Sequence, residues 1–144
     1  MAVAYQVVID CAEPHPLAEW WAEAMGWEVE PTDEAFIRRM VDEGHATEDD
    51  TTTYRGELRW ATGAAIIAPD EASGPGRRIL FQQVPEEKST KNRVHLDLRF
   101  GQDRIEAERD RLVAAGATFL HEGSEGPNRW FTLTDPAGNE FCVT

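Results

Sequence analysis

The chain has 144 residues, with 27 Asp or Glu against 14 Lys or Arg, for a formal net charge of -13. A chain of this length buries about 70% of its unfolded surface, so a single domain is expected that needs neither disulfides nor metal to fold. The acidic balance excludes nucleic acid and anionic membrane surfaces as partners, because both are bound through Lys and Arg.

Tyr5 to Cys11 is rich in β-branched residues and ends at Glu13-Pro14, which predicts a first strand. Leu17, Trp20, Trp21, Ala24 and Met25 then recur at helical spacing, placing both indoles in a core, with Gly26 as the stop. Trp27 to Glu30 alternates as a short strand. Phe36, Ile37, Met40 and Val41 form a second helical stripe, with Asp33 as N-cap and Gly44 as terminator. His45 to Thr53 is polar and acidic and reads as an exposed loop. Leu58 to Ala68 and Arg78 to Val84 read as two strands joined by the turn-rich segment from Asp70 to Gly76.

Glu86 to Asn92 carries no apolar anchor and marks a boundary, after which the pattern restarts. Arg93 to Phe100 reads as a strand and Asp103 to Ala115 as a helix closed by Gly116. Ala117 to His121, Trp130 to Thr134 and Glu140 to Val143 read as three more strands, the last two joined by Asp135-Pro-Ala-Gly138. Strand, helix and three strands thus occur twice, and Gln6 to Cys11 lies over His95 to Phe100 without a gap. Two copies of one supersecondary unit imply a pseudo-twofold α+β domain over 1–144, with a concave face between the copies suited to a ligand. The first module covers about 1–86 with a helical insertion at about 32–53, and the second about 92–144. Residues 1–72 hold 16 acidic and 4 basic side chains, so nearly all of the negative charge belongs to the first copy, as a solvated acidic face.

No apolar run approaches the roughly 18–20 residues that span a bilayer, the first residues lack a basic stretch, and Cys11 and Cys142 make no disulfide framework. A cytoplasmic location is the expectation. Nucleophile-elbow, phosphate-loop and dinucleotide fingerprints are all missing from the sequence.

The pieces Val8 to Glu13 with Trp20-Trp21 and Met25-Gly-Trp27, then Phe81 to Pro85, Asn92 to Leu98 and Thr134 to Val143 together resemble the vicinal oxygen chelate superfamily, in particular its glyoxalase-like domain branch. That superfamily includes glyoxalase I, bleomycin-resistance proteins and extradiol dioxygenases. The resemblance implies two tandem βαβββ modules forming a curved, cleft-containing sheet, often in a homodimer. It also implies that the chelating positions of metal-dependent members fall on Gln6 and His95, near Gln82, and on Cys142 in place of the usual glutamate. Glu140 stands two residues earlier on the same strand face. A metal, if held, would be Zn, Ni or Fe on Gln6 and His95 with Glu140 or Cys142. This donor set is weak in charge unless the thiol ionises, and it lacks the two histidines and carboxylate of a ring-cleaving oxygenase.

Two functions follow. One is a metal-free protein that sequesters or senses a metabolite or antibiotic, bound by Gln6, Gln82, His95, Trp60, Trp130 and Cys142. The other is a lyase or isomerase, with or without a metal, moving protons with His95, Asp97 and Glu140. Each of these residues also has a plainer reading. His95 would be a hydrogen-bonded cleft histidine and Cys142 a small buried hydrophobe. His15, His45 and His121 have no supporting constellation and are expected at the surface.

Overall fold

The computed structural model describes residues 1–70 and 77–144. The expected turn over 70–76 lies, from Glu71 onward, outside the described residues. The chain divides into two compact units, Met1–Glu86 and Glu87–Thr144. No helix among the described residues is long and apolar enough to cross a membrane.

The first unit runs β1 (Val7–Cys11), α1 (Pro14–Met25), β2 (Glu28–Val29), α2 (Glu34–Asp42), β3 (Thr51–Tyr54), β4 (Glu57–Trp60), β5 (Gly63–Ile67) and β6 (Arg78–Gln83). Its main sheet has the order β1-β6-β5-β2, with β1 and β6 parallel and the other pairs antiparallel. Helix α1 begins with Pro14, whose missing N–H would have had no partner in the first turn. It ends at Gly26, where φ is 67° and a side chain would be strained. Leu17, Ala18 and Trp21 are buried on the face that packs against β5 and β6, which bury Ile66, Ile79 and Phe81. Burying side chains of this size contributes about 1.5–3 kcal/mol each. Asp33 caps α2 by accepting from the Phe36 amide at 2.9 Å, and Ile37 is the buried residue of that helix.

The insertion departs from expectation. Residues 45–53 are not all loop: a short 3₁₀ turn at Glu48–Asp50 leads into β3, which pairs with β4. The long strand expected from Leu58 to Ala68 is therefore two strands, β4 and β5, and the insertion extends through Trp60. The hairpin closes on Arg55 and Gly56, both at positive φ (50° and 80°) as a type I′ turn requires. Arg55 takes this conformation while its guanidinium grips Glu19 of α1 at 2.6 and 2.8 Å, and the Tyr54 hydroxyl donates to the same carboxylate at 3.0 Å.

The second unit runs β7 (Leu96–Leu98), α3 (Ile105–Ala114), β8 (Thr118–Glu125), β9 (Asn128–Thr134) and β10 (Glu140–Val143). Its sheet order, β7-β10-β9-β8 with β7 and β10 parallel, repeats that of the first unit strand for strand. The fold is thus α+β, two tandem βαβββ modules, the first interrupted between β2 and β5 by α2 and the β3-β4 hairpin. Strand β7 is shorter than the expected span of 93–100. Strands β8 and β9 are longer, meeting across Gly126-Pro127, with Gly126 at φ 57°. The turn before β10 is held by Asp135, nearly fully buried, whose Oδ1 accepts from the Ala137 and Asn139 amides at 2.9 and 3.0 Å.

Candidate functional site

Strand alternation builds a site on one face of the second unit's sheet. Phe131, Leu133, Phe141 and Val143 point into the core and are completely buried. Their neighbours must point the other way, because successive side chains leave opposite faces of a strand. His95, Asp97, Trp130, Thr132, Glu140 and Cys142 accordingly line a cavity of about 420 Å³, with Lys91, His121 and Thr144 completing its wall.

Trp130 is fixed by what lies across the ladder. It pairs with Gly123, and a Cβ at that glycine would fall 2.4 Å from the indole. The ring therefore covers bare backbone, and only glycine leaves room for it.

Cys142 stands between Asp97 on β7 and Thr132 on β9, its register partners on either side. Its Sγ lies 3.5 Å from Thr132 Oγ1. Burial pushes the thiol above its ordinary pKa; the Thr132 hydrogen bond offsets this in part, and the Asp97 carboxylate adds to the rise. Cys142 is thus a protonated thiol at neutral pH. His95 and Asp97 share a strand face, and His95 Nε2 lies 3.3 Å from Asp97 Oδ1. An imidazole beside a carboxylate has a fixed tautomer and can pass a proton.

Glu140 is occupied otherwise. Its two oxygens accept from Lys88 Nζ and from the Asn92 amide, each at 3.0 Å. Burial raises its pKa, but the Asn92 amide and Lys88 together outweigh this and hold the carboxyl below its ordinary range. It clamps the 88–92 connection to the start of β10.

Could this unit hold a metal ion? The donor atoms of His95, Asp97 and Cys142 lie within 4.8 Å of one another. One imidazole, one carboxylate and one thiolate would suit Zn²⁺ and leave a position open. The thiol would first have to lose its proton, against both its burial and the neighbouring carboxylate. The cluster differs from the expected donors: Asp97 joins it, while Glu140 is taken up by Lys88 and Asn92.

Gln6, Gln82 and Trp60 belong to the first unit. Gln6 Oε1 accepts from Arg78 Nη1 at 2.8 Å, and the same guanidinium grips Glu30 at 2.6 and 2.9 Å. Gln82 and Trp60 line a larger cavity of that unit, about 830 Å³. So His95, Asp97, Trp130, Glu140 and Cys142 surround one cavity, and Gln82 and Trp60 line another. One histidine was misread, and a second has a setting the sequence did not show. His15 is buried rather than at the surface, stacked on Tyr54 with ring centroids 5.1 Å apart and bonded to the Trp60 carbonyl. His121 is exposed, as expected, but forms part of the cavity wall beside Cys142. The Pro-His-Pro run of residues 14–16 gave no sign of a partner 45 residues away.

Two βαβββ units with matching strand order are the architecture that the resemblance to the vicinal oxygen chelate superfamily implies. The chain belongs to the glyoxalase-like domain family, whose profile matches residues 6–144. No curated protein sequence matches it significantly. Among solved structures, the fosfomycin resistance protein FosX from Listeria monocytogenes superposes with a TM-score of 0.63 at 8% identity, over 99% of this chain and 92% of that one. A possible glyoxalase from Bacillus cereus gives 0.62 at 14% identity, over 100% and 99%. The bleomycin-binding protein of Streptomyces verticillus, solved with copper(II)-bleomycin, gives 0.55 at 14% identity, over 100% and 96%. At these identities the likeness is one of fold.

Proposed function

We propose that this protein binds an apolar or planar small molecule, a metabolite or antibiotic, in the cavity of its second unit, and sequesters or senses it without a metal. The observation that carries the reading is the Trp130 indole, locked over Gly123 as one wall of that cavity. A fixed aromatic face binds planar ligands with little loss of side-chain entropy. Around it the Cys142 thiol is protonated and the Glu140 charge is already paired, so neither presents a free charge to the ligand. Bleomycin, named with a structural neighbour, is the first probe. We further propose that the protein works in the cytoplasm as a homodimer, which sedimentation would read directly.

The test is a thermal-shift screen in EDTA, because a ligand that binds only the native state raises its stability by about 2.7 kcal/mol at 100 times Kd. A hit that persists in EDTA and is lost in Trp130→Ala supports the proposal. If no hit is lost in Trp130→Ala, the proposal is contradicted.

One observation favours the enzymatic alternative, a lyase or isomerase: the 3.3 Å contact between His95 and Asp97. Under that reading His95→Ala abolishes turnover, whereas under the binding reading it only weakens affinity. A metal-dependent version requires about one equivalent of Zn, Ni or Fe per chain in the purified protein.

A further inference from the structure

Among the described residues, two buried side-chain polar atoms have no hydrogen-bond partner, His15 Nδ1 and Arg59 Nε. Both residues line the same cavity, the one of about 830 Å³ in the first unit. Leaving a buried polar group unpaired is costly, so two in one wall call for a partner.

The sense of each orphan can be read from its other bonds. His15 Nε2 lies 2.8 Å from the Trp60 carbonyl oxygen. A carbonyl only accepts, so Nε2 carries a proton, and in that tautomer Nδ1 presents a bare lone pair. His15 is held in place by its stacking on Tyr54, and its exposure is only 8%. Arg59 presents the opposite sense: its Nη2 is satisfied by Glu57 at 2.6 Å, while its Nε–H has nothing to donate to. The guanidinium also lies 5.7 Å from the Tyr54 ring centre, so one ring supports both groups. The rest of the wall includes Phe36, Met40 and Leu80, which offer apolar surface.

One unpaired acceptor and one unpaired donor beside the apolar surface of Phe36, Met40 and Leu80 match a group that both donates and accepts. We propose that the first unit's cavity is a binding site for a neutral hydroxyl-bearing aromatic compound. The hydroxyl donates to His15 Nδ1, an oxygen of the ligand accepts from Arg59 Nε–H, and the ring rests on the apolar wall. Its lining residues all belong to the first unit, and the proposal does not depend on the function proposed for the second.

The test titrates the intact protein with 4-ethylphenol, which donates and accepts, and with 4-methylanisole, which only accepts. NMR follows the His15 ring nitrogens and the Trp130 indole N–H together. We expect 4-ethylphenol to bind at least tenfold more tightly than 4-methylanisole, to shift the His15 Nδ1 resonance, and to leave Trp130 unmoved. Arg59→Lys should cut that preference severalfold, and the native-protein spectra stand even if this variant folds poorly. Equal affinities, no binding of either compound, or binding that leaves His15 Nδ1 unshifted would overturn the proposal. A response at Trp130 alone would likewise overturn it, while leaving the second unit's site intact.

Discussion

The indole of Trp130 lies directly over Gly123 on the adjacent strand, so close that a single added methyl would fall 2.4 Å from the ring. Gly123→Ala must therefore push the indole away or part the strands. Overpacking of this kind costs about 1–3 kcal/mol. Urea unfolding should show that loss, and native tryptophan fluorescence should shift as the ring leaves its place. An unchanged midpoint and spectrum would mean that the indole is not held there.

The Cys142 thiol should react slowly. Burial raises its pKa and Asp97 adds to the effect, so the thiolate that attacks an alkylating agent is scarce at neutral pH. In a Cys11→Ala background, iodoacetamide should modify Cys142 more slowly than a free thiol, with a rate still climbing above pH 9. Asp97→Asn removes the negative neighbour, so it should lower the thiol pKa and speed the reaction at pH 8.

The same chemistry governs metal affinity. A divalent ion on His95, Asp97 and Cys142 has to displace the thiol proton, so binding should strengthen by up to tenfold per pH unit below the thiol pKa. Titration with Co²⁺ reads this through the thiolate charge-transfer band. The band should be weak at pH 6.5 and grow as the pH rises, and it should vanish in Cys142→Ala. A full-strength band at pH 6.5 with one equivalent of Co²⁺ would contradict the account.

Glu108 supplies the pH dependence of stability on α3. Burial raises its pKa, but Arg111 and Arg104, at 2.7 and 2.6 Å, outweigh this and hold it below the ordinary value of 4.5. A carboxyl depressed in the folded state contributes stability that is present above its unfolded pKa and lost as pH falls through the folded one. Glu108→Gln should therefore cost about 1 kcal/mol at pH 7, allowing for the exposure of both arginines. The gap between variant and parent should narrow steadily below pH 4.5, as followed by urea unfolding at each pH.

Local signals made much of this fold legible. Gly26, Asp33 and Gly116 end or begin helices where their chemistry says they should, and the Asp135 turn is closed by its own side chain. The gapless overlay of Gln6 to Cys11 on His95 to Phe100 anticipated the matching sheet orders. The β3-β4 hairpin was not legible, because Thr51 to Thr53 are polar and Arg55-Gly56 is a rare pair for a type I′ turn. At the site, strand parity put His95 with Asp97 and Glu140 with Cys142. Parity carries no distances, so it could not foresee that Glu140 is bound to Lys88 and Asn92, or that Gly123 positions Trp130. The fate of His15 depends on a carbonyl brought near only by the folded hairpin.

The central claim, metal-free binding of a small molecule against Trp130, is tested most directly by NMR on the protein in EDTA. The Trp130 indole N–H and the His95 ring are followed during titration with each thermal-shift hit. The account predicts saturable shifts of both signals, unchanged when Zn²⁺ replaces EDTA. Shifts that appear only after Zn²⁺ is added, or a set of hits none of which moves the Trp130 signal, would contradict it.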